Sequence, residues 1–163
     1  MDNQISILRE TLSPARIRLR QDASSKKKAL EICAEILADS DAALDQDSVM
    51  EALSAREKLG STALEHGVAL PHCRVSACVK PMCALVTLSE GVDFEARDNL
   101  NSNILCALIV PEDSTAEHLE ILATIAALLS NPVNRKDILD ATDNNALYLK
   151  ITDSNYLTSA GEE

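Results

Sequence analysis

Apolar residues recur along this chain in two periods, one near 3.6 residues and one continuous or alternating, and the switches between them lay out an order of helices and strands. Asn3 to Leu12 reads as a short helix. Arg16-Ile17-Arg18-Leu19-Arg20 alternates charged with apolar, the pattern of an edge strand with one solvated face. From Ser24 or Ser25 a capped helix is expected, with Leu30, Cys33, Ile36 and Leu37 on one side and the lysines outside. A second helix should run from Asp47 to Leu59, turning Val49, Met50 and Leu53 inward, carrying Arg56 on its last turn and stopping at Gly60.

Val68–Leu70 is a brief apolar segment, and Pro71 cannot continue a central ladder, so His72 is expected at that strand's exit. Met82 to Leu88 and Ile104 to Val110 are uninterrupted apolar runs of the length of buried strands. The connection between them is rich in turn residues, with room for a further short strand near Phe94. Ser114-Thr115-Ala116-Glu117 has the spacing of a capping box and should open a helix reaching Ser130, with Leu119, Leu122, Ile125, Ala126 and Leu129 as its apolar stripe. Two shorter helices, Asn134 to Ala141 and Asn144 to Thr152, complete the reading. Strands and helices in this order predict an α/β fold, a three-layer α/β/α sandwich. One domain is expected over residues 1–153, followed by a polar tail, 154–163, for which disorder is the expectation.

Composition narrows the function classes. At 163 residues the chain should bury roughly 70% of its unfolded surface, enough for one core. No apolar run approaches the roughly 20 residues of a membrane span, and the Met-Asp-Asn-Gln start lacks a basic region leading into an apolar stretch. Five scattered cysteines fit reduced thiols better than a disulfide scaffold, which makes the cytoplasm the expected location. With 26 acidic against 15 basic residues the formal charge is −11, which opposes binding to nucleic acid and to anionic membranes. Aromatics are 2% of the chain, so few rings are present to stack on bases or sugars.

Candidate chemistry concentrates between Gly60 and Arg74. Gly60 ends a helix and lets Ser61 and Thr62 point backbone N–H and hydroxyl donors toward an anion, while His72 follows an apolar strand. Neutral imidazole is a good nucleophile near pH 7 and, once protonated, a good leaving group, which suits a transient phosphoryl carrier. On spacing alone a surface or hydrogen-bonded structural role for His72 is the more economical reading. A zinc site built from His72, Cys73, Cys78 and Cys83 lacks close paired cysteines. A Cys73/His72 hydrolase would need adjacent residues that point apart, and Gly-Ser-Thr lacks the Lys-Ser/Thr ending of a nucleotide loop.

The run Gly60-Ser61-Thr62 followed by Val68-Ala69-Leu70-Pro71-His72 resembles the signature of phosphotransferase-system enzyme IIA domains of the fructose/mannitol type. Ser25-Lys26-Lys27-Lys28-Ala29-Leu30-Glu31, Arg56-Glu57-Lys58-Leu59-Gly60-Ser61-Thr62, and Leu108-Ile109-Val110-Pro111 leading to His118-Leu119 extend the likeness from about residue 5 to about residue 152. The first two stretches are similar to the nitrogen-regulatory IIA branch. The resemblance implies a small mixed β-sheet between helical layers. It also implies a phosphohistidine at His72, with Nε2 as acceptor and the other ring nitrogen held by a backbone carbonyl, and His118 and Arg56 as further catalytic residues that contact the phosphoryl oxygens. Ser61 and Thr62 would add phosphate-binding donors.

No metal or cofactor is implied. The implied donor is a histidine phosphocarrier of the NPr/HPr kind, and the implied targets are regulatory ones such as potassium transport proteins or sensor kinases. The chain would thus be a phosphocarrier with a mainly regulatory role. A sugar-specific IIA that passes phosphate to a IIB protein, and a binding module that is not phosphorylated, are the alternatives. Three stretches depart from the family pattern. Ala63-Leu64-Glu65-His66 replaces a Gly-Ile-Gly-Asn run, and its carboxylate is expected to disfavour a phosphoryl group nearby. Cys73-Arg74 replaces Gly-Lys, and Asn99-Leu100-Asn101-Ser102 lacks the usual proline and valine.

Overall fold

The computed structural model describes residues 2–153; the expected tail, 154–163, lies outside the described residues. Helix α1 (Asp2–Thr11) leads through a single 3-10 turn at Pro14–Arg16 into strand β1 (Ile17–Gln21). Helices α2 (Lys26–Asp39) and α3 (Gln46–Leu59) follow, each begun by a side-chain cap: Ser25 Oγ accepts from the Lys28 amide and Asp45 from the Ser48 amide. Then come β2 (Val68–Ala69), β3 (His72–Val75), β4 (Met82–Val92), β5 (Ser102–Pro111), α4 (Glu117–Ser130), α5 (Pro132–Asp140) and α6 (Asn144–Ile151).

The sheet is mixed. β1 lies parallel to β4 with Ile17 opposite Leu85, and β4 lies antiparallel to β5 with Leu85 opposite Cys106. β2 and β3 share the far side of β5, both parallel to it, with Val68 opposite Ile104 and His72 opposite Leu108. They are in effect one edge strand broken at Leu70-Pro71.

Because successive strand residues point to opposite faces, each central strand feeds two cores. Ala84, Val86, Leu105, Ala107 and Ile109 pack against α2 and α3, through Ala29, Cys33, Leu37, Val49 and Leu53. Cys83, Leu85, Ile104, Cys106 and Leu108 pack against the other helical layer, through Leu8, Ile121, Ile125, Ile138 and Leu147. This is an α/β/α sandwich with a small mixed sheet. Its continuous apolar strands are those of a sheet covered on both faces.

Several local expectations are corrected. β4 runs on to Val92, which pairs with Ser102, because the antiparallel ribbon with β5 outlasts the apolar run. No strand forms at Phe94, whose ring is fully buried in an irregular segment against the α2/α3 core. Ser114 does not cap α4. Its amide closes a turn onto Pro111 O, the helix starts beyond Ala116, and the buried Ser114 hydroxyl has no hydrogen-bond partner among the described residues. Leu119 is 61% exposed rather than part of the inward stripe, a place taken by Ile121 and Leu128. His72, expected at the exit of the Val68–Leu70 strand, instead opens a strand of its own, β3. No helix among the described residues is long and apolar enough to cross a membrane.

Candidate functional site

The break in the edge strand creates the site. Pro71 brings no N–H, and its carbonyl accepts from the Leu108 amide, so the ladder resumes at His72. Leu70 O is left to accept from His72 Nδ1 at 2.7 Å. A carbonyl oxygen only accepts, so Nδ1 carries the hydrogen and the neutral ring keeps its lone pair on Nε2.

His72 and Arg74, two residues apart on β3, project to one face above Leu108 and Val110. On α3, Ala52, Ala55, Arg56 and Leu59 follow the 3.6-residue period along one stripe. His118 stands on the first turn of α4, with Nδ1 2.5 Å from Thr115 O. Together with Cys73, these groups enclose an open cleft of about 480 Å³ between the two helical layers, at the sheet edge. Its walls are largely apolar, and its charged lining residues are arginines.

Burial holds the His72 pKa below the ordinary imidazole value. The hydrogen bond to Leu70 O opposes that shift, the nearby Arg56 charge and His118 add to it, and Glu57 pulls the other way. The outcome is an imidazole kept neutral and nucleophilic. Burial pushes the Cys73 thiol up to about 12, so beside His72 it is an inert wall and not a thiolate. Arg56 donates from Nη1 to Gly60 O at 2.9 Å, which fixes its guanidinium across the helix end while leaving further donors.

Ser61 and Thr62 are not brought into the cleft. The Ser61 hydroxyl donates to Phe94 O, and the Thr62 hydroxyl donates to the Glu57 carboxylate, which also accepts from the Thr62 amide. Glu57 is buried and paired with Lys26 at 2.7 Å, and the Lys26 ammonium lies 5.2 Å from the Phe94 ring centre. Thr62 O in turn accepts from the Leu70 amide. A continuous path therefore runs from the Lys26–Glu57 ion pair through Thr62 to the residue that orients His72. The serine and threonine support the site from behind.

Sequence reasoning missed this network, and it missed Arg74 and the Ala52/Ala55/Leu59 stripe as cleft lining. Two signals for the lining were present: the small-residue stripe at helical spacing and the two-residue step from His72 to Arg74.

Residues 10–154 match the family model described as "Phosphoenolpyruvate-dependent sugar phosphotransferase system, EIIA 2". The chain belongs to this family. A nitrogen regulatory protein of Pseudomonas aeruginosa is 40% identical to this EIIA over 146 residues, covering 90% of this chain and 95% of the relative. One from Escherichia coli K12 is 36% identical over 138 residues, 84% of each chain. The crystal structure of nitrogen regulatory protein IIA-Ntr from Neisseria meningitidis superposes with a TM-score of 0.80 at 34% identity, covering 88% of this chain and 97% of that one. These likenesses put the EIIA in the nitrogen-regulatory branch.

The departing Glu65 and His66 lie away from the cleft of this EIIA. They precede β2, at the end of the broken strand opposite His72, and both side chains are exposed. His66 takes φ +68 and its amide donates to Asp98, and Gly67 follows at φ +80, where an added Cβ would stand 3.0 Å from Asn103 Oδ1. Six residues separate Glu65 from His72, of which only Val68 and Ala69 are strand, and neither Glu65 nor His66 is among the residues that line the cleft. The four residues of the zinc alternative are divided as well. Cys73 and Cys78 join the core on one face of the sheet, Cys83 that on the other.

Proposed function

We propose that this protein is a phosphorylatable regulator: His72 accepts a phosphoryl group from a histidine phosphocarrier of the NPr/HPr kind, and target proteins respond to its phosphorylation state. The observation that carries this reading is the tethering of His72 Nδ1 to Leu70 O in a cleft whose charged lining residues are Arg56 and Arg74, within a chain of formal charge −11. Positive charge gathered at one nucleophile against that background suits an incoming dianion.

In the step itself, the Nε2 lone pair of His72 forms a bond to phosphorus. The donor's N–P bond breaks, and its electron pair stays on the donor imidazole. The hydrogen stays on Nδ1, donated to Leu70 O, throughout. Little covalent work falls to the protein in such a transfer, because charge in the loose transition state spreads over the three equatorial oxygens. Arg56, at the helix end, supplies donors for those oxygens, and His118 faces them from α4. Exposed Leu59 borders the cleft where a donor would dock.

A regulatory role is preferred to sugar uptake because the relatives of 40% and 36% identity are named nitrogen regulatory proteins. The test is intact-protein mass spectrometry after incubation with phosphoenolpyruvate, the system's first enzyme and its histidine phosphocarrier. One acid-labile phosphoryl group is expected on the wild type and none on His72→Ala. Equal labelling of both proteins would refute the site assignment, and rapid onward transfer to a IIB protein would refute the regulatory reading.

A further inference from the structure

The two imidazoles of the cleft are tied in the same manner, with opposite chemical results. His72 Nδ1 meets Leu70 O at 2.7 Å and His118 Nδ1 meets Thr115 O at 2.5 Å. Each Nδ1 must therefore hold a hydrogen, and each neutral ring keeps only a lone pair on Nε2. For His72 that lone pair is the nucleophile. For His118 it is an obstacle, since phosphoryl oxygens are themselves acceptors, and two acceptors facing each other repel. A neutral His118 with this tether has nothing to donate into the cleft. A second hydrogen, on Nε2, turns it into a donor and adds a positive charge.

We propose that His118 is a proton-dependent ligand of the phosphoryl group: Nε2 of His118 takes up a solvent proton when His72 becomes phosphorylated and releases it when the phosphoryl group leaves, so that phosphoryl load falls as pH rises. The inference rests on the reading of His72 as acceptor. Apart from the N–P bond, only the Nε2–H bond of His118 is made or broken.

The surroundings of His118 favour such a switch. The charged group facing it from α3 is Arg56, and β3 presents His72, Arg74 and the Cys73 thiol, while Leu108 and Val110 of β5 are apolar. Arg56 and Arg74 make the empty cleft cationic. A phosphoryl group of about −1.5 to −2 charge reverses that balance at close range. Of the nearby carboxylates among the described side chains, Glu57 is paired with Lys26 and Glu120 is engaged by Asn3, while Glu112 and Asp113 are exposed on the loop before α4, outside the cleft lining.

The test has two readouts on the full chain. Imidazole ¹⁵N spectra of wild-type protein, with and without the phosphoryl group at one pH, are expected to show a larger protonated fraction at His118 Nε2 in the phosphorylated form. The equilibrium constant for transfer from the phosphocarrier is then compared with that of His118→Gln, whose amide donates at every pH. From about pH 6 to about pH 9, the ratio of wild type to variant should fall, by up to about tenfold per unit, above the range in which the imidazolium persists. A flat ratio, or a phosphorylated protein in which His118 Nε2 stays unprotonated, overturns the inference and leaves the acceptor reading intact. Absence of any phosphoryl group on His72 at every pH overturns both. Should His118→Gln fail to fold, the wild-type spectra decide alone.

Discussion

Arg56 and Glu57 are neighbours on the last turns of α3, yet they serve two regions of opposite design. On the Glu57 side every polar group is matched: Lys26 neutralises the carboxylate, Thr62 donates to it, and the Ser61 hydroxyl is spent on Phe94 O. On the Arg56 side the chemistry is left open. Two arginines and two imidazoles line a cleft with no carboxylate among its described lining residues. A completed network fixes geometry, whereas an uncompensated one retains the capacity to bind. Having both on one helical turn allows the first to hold the second in place.

The comparison breaks first at Lys26. Lys26→Met would leave a buried Glu57 carboxylate with Thr62 as its remaining partner, at a cost of about 3 kcal/mol, read from urea unfolding. Phosphoryl acceptance per folded molecule should change far less. Arg56→Gln is expected to reverse that profile, slowing acceptance from the phosphocarrier by about 10- to 100-fold while stability moves by no more than about 0.5 kcal/mol. A variant at either position that altered both properties equally would remove the distinction. A smaller effect should come from Thr62→Val, at about 1 kcal/mol of stability with acceptance retained, since its hydroxyl bonds Glu57 and does not face the cleft.

The smallest expected effect is on pH dependence, where the sign is fixed by a His72 pKa held below the ordinary imidazole value of 6.5. Below that lowered pKa the ring is protonated and loses its lone pair, so acceptance fails as pH falls through it. In the window between the lowered value and 6.5 the unfolded chain binds more protons, so His72 lowers stability as pH drops. Removing the Arg56 charge should move the His72 titration upward, toward the ordinary imidazole value, as followed by NMR. A downward or absent movement would mean that Arg56 does not act on His72 electrostatically.

The helices were legible wherever a capping side chain and an apolar stripe agreed, as at Ser25 with Leu30, Cys33 and Leu37. They were misread where only one signal was present. Ser114-Thr115-Ala116-Glu117 had the spacing of a cap, but the Pro111 turn ahead of it uses the Ser114 amide and delays the helix. His118 and Arg56 were legible only through the family resemblance and His72 chiefly through it, and the structure brings all three to one cleft. The supporting role of Ser61 and Thr62 was not legible, because a donor-rich turn reads the same whether its donors point to solvent or back into the protein. Lys26 and Glu57 are 31 positions apart, each within a run of charged residues that reads as solvated surface. Only the packing of α2 on α3 reveals that this pair is enclosed.

The interruption at Leu70-Pro71 carries a regiochemical consequence. A continuous edge strand would engage the Leu70 carbonyl in the ladder and leave both nitrogens of the following imidazole available. With the strand broken, that carbonyl blocks Nδ1, and any electrophile entering the cleft meets Nε2 alone. A single missing N–H in the backbone thus selects one positional isomer of the modified ring.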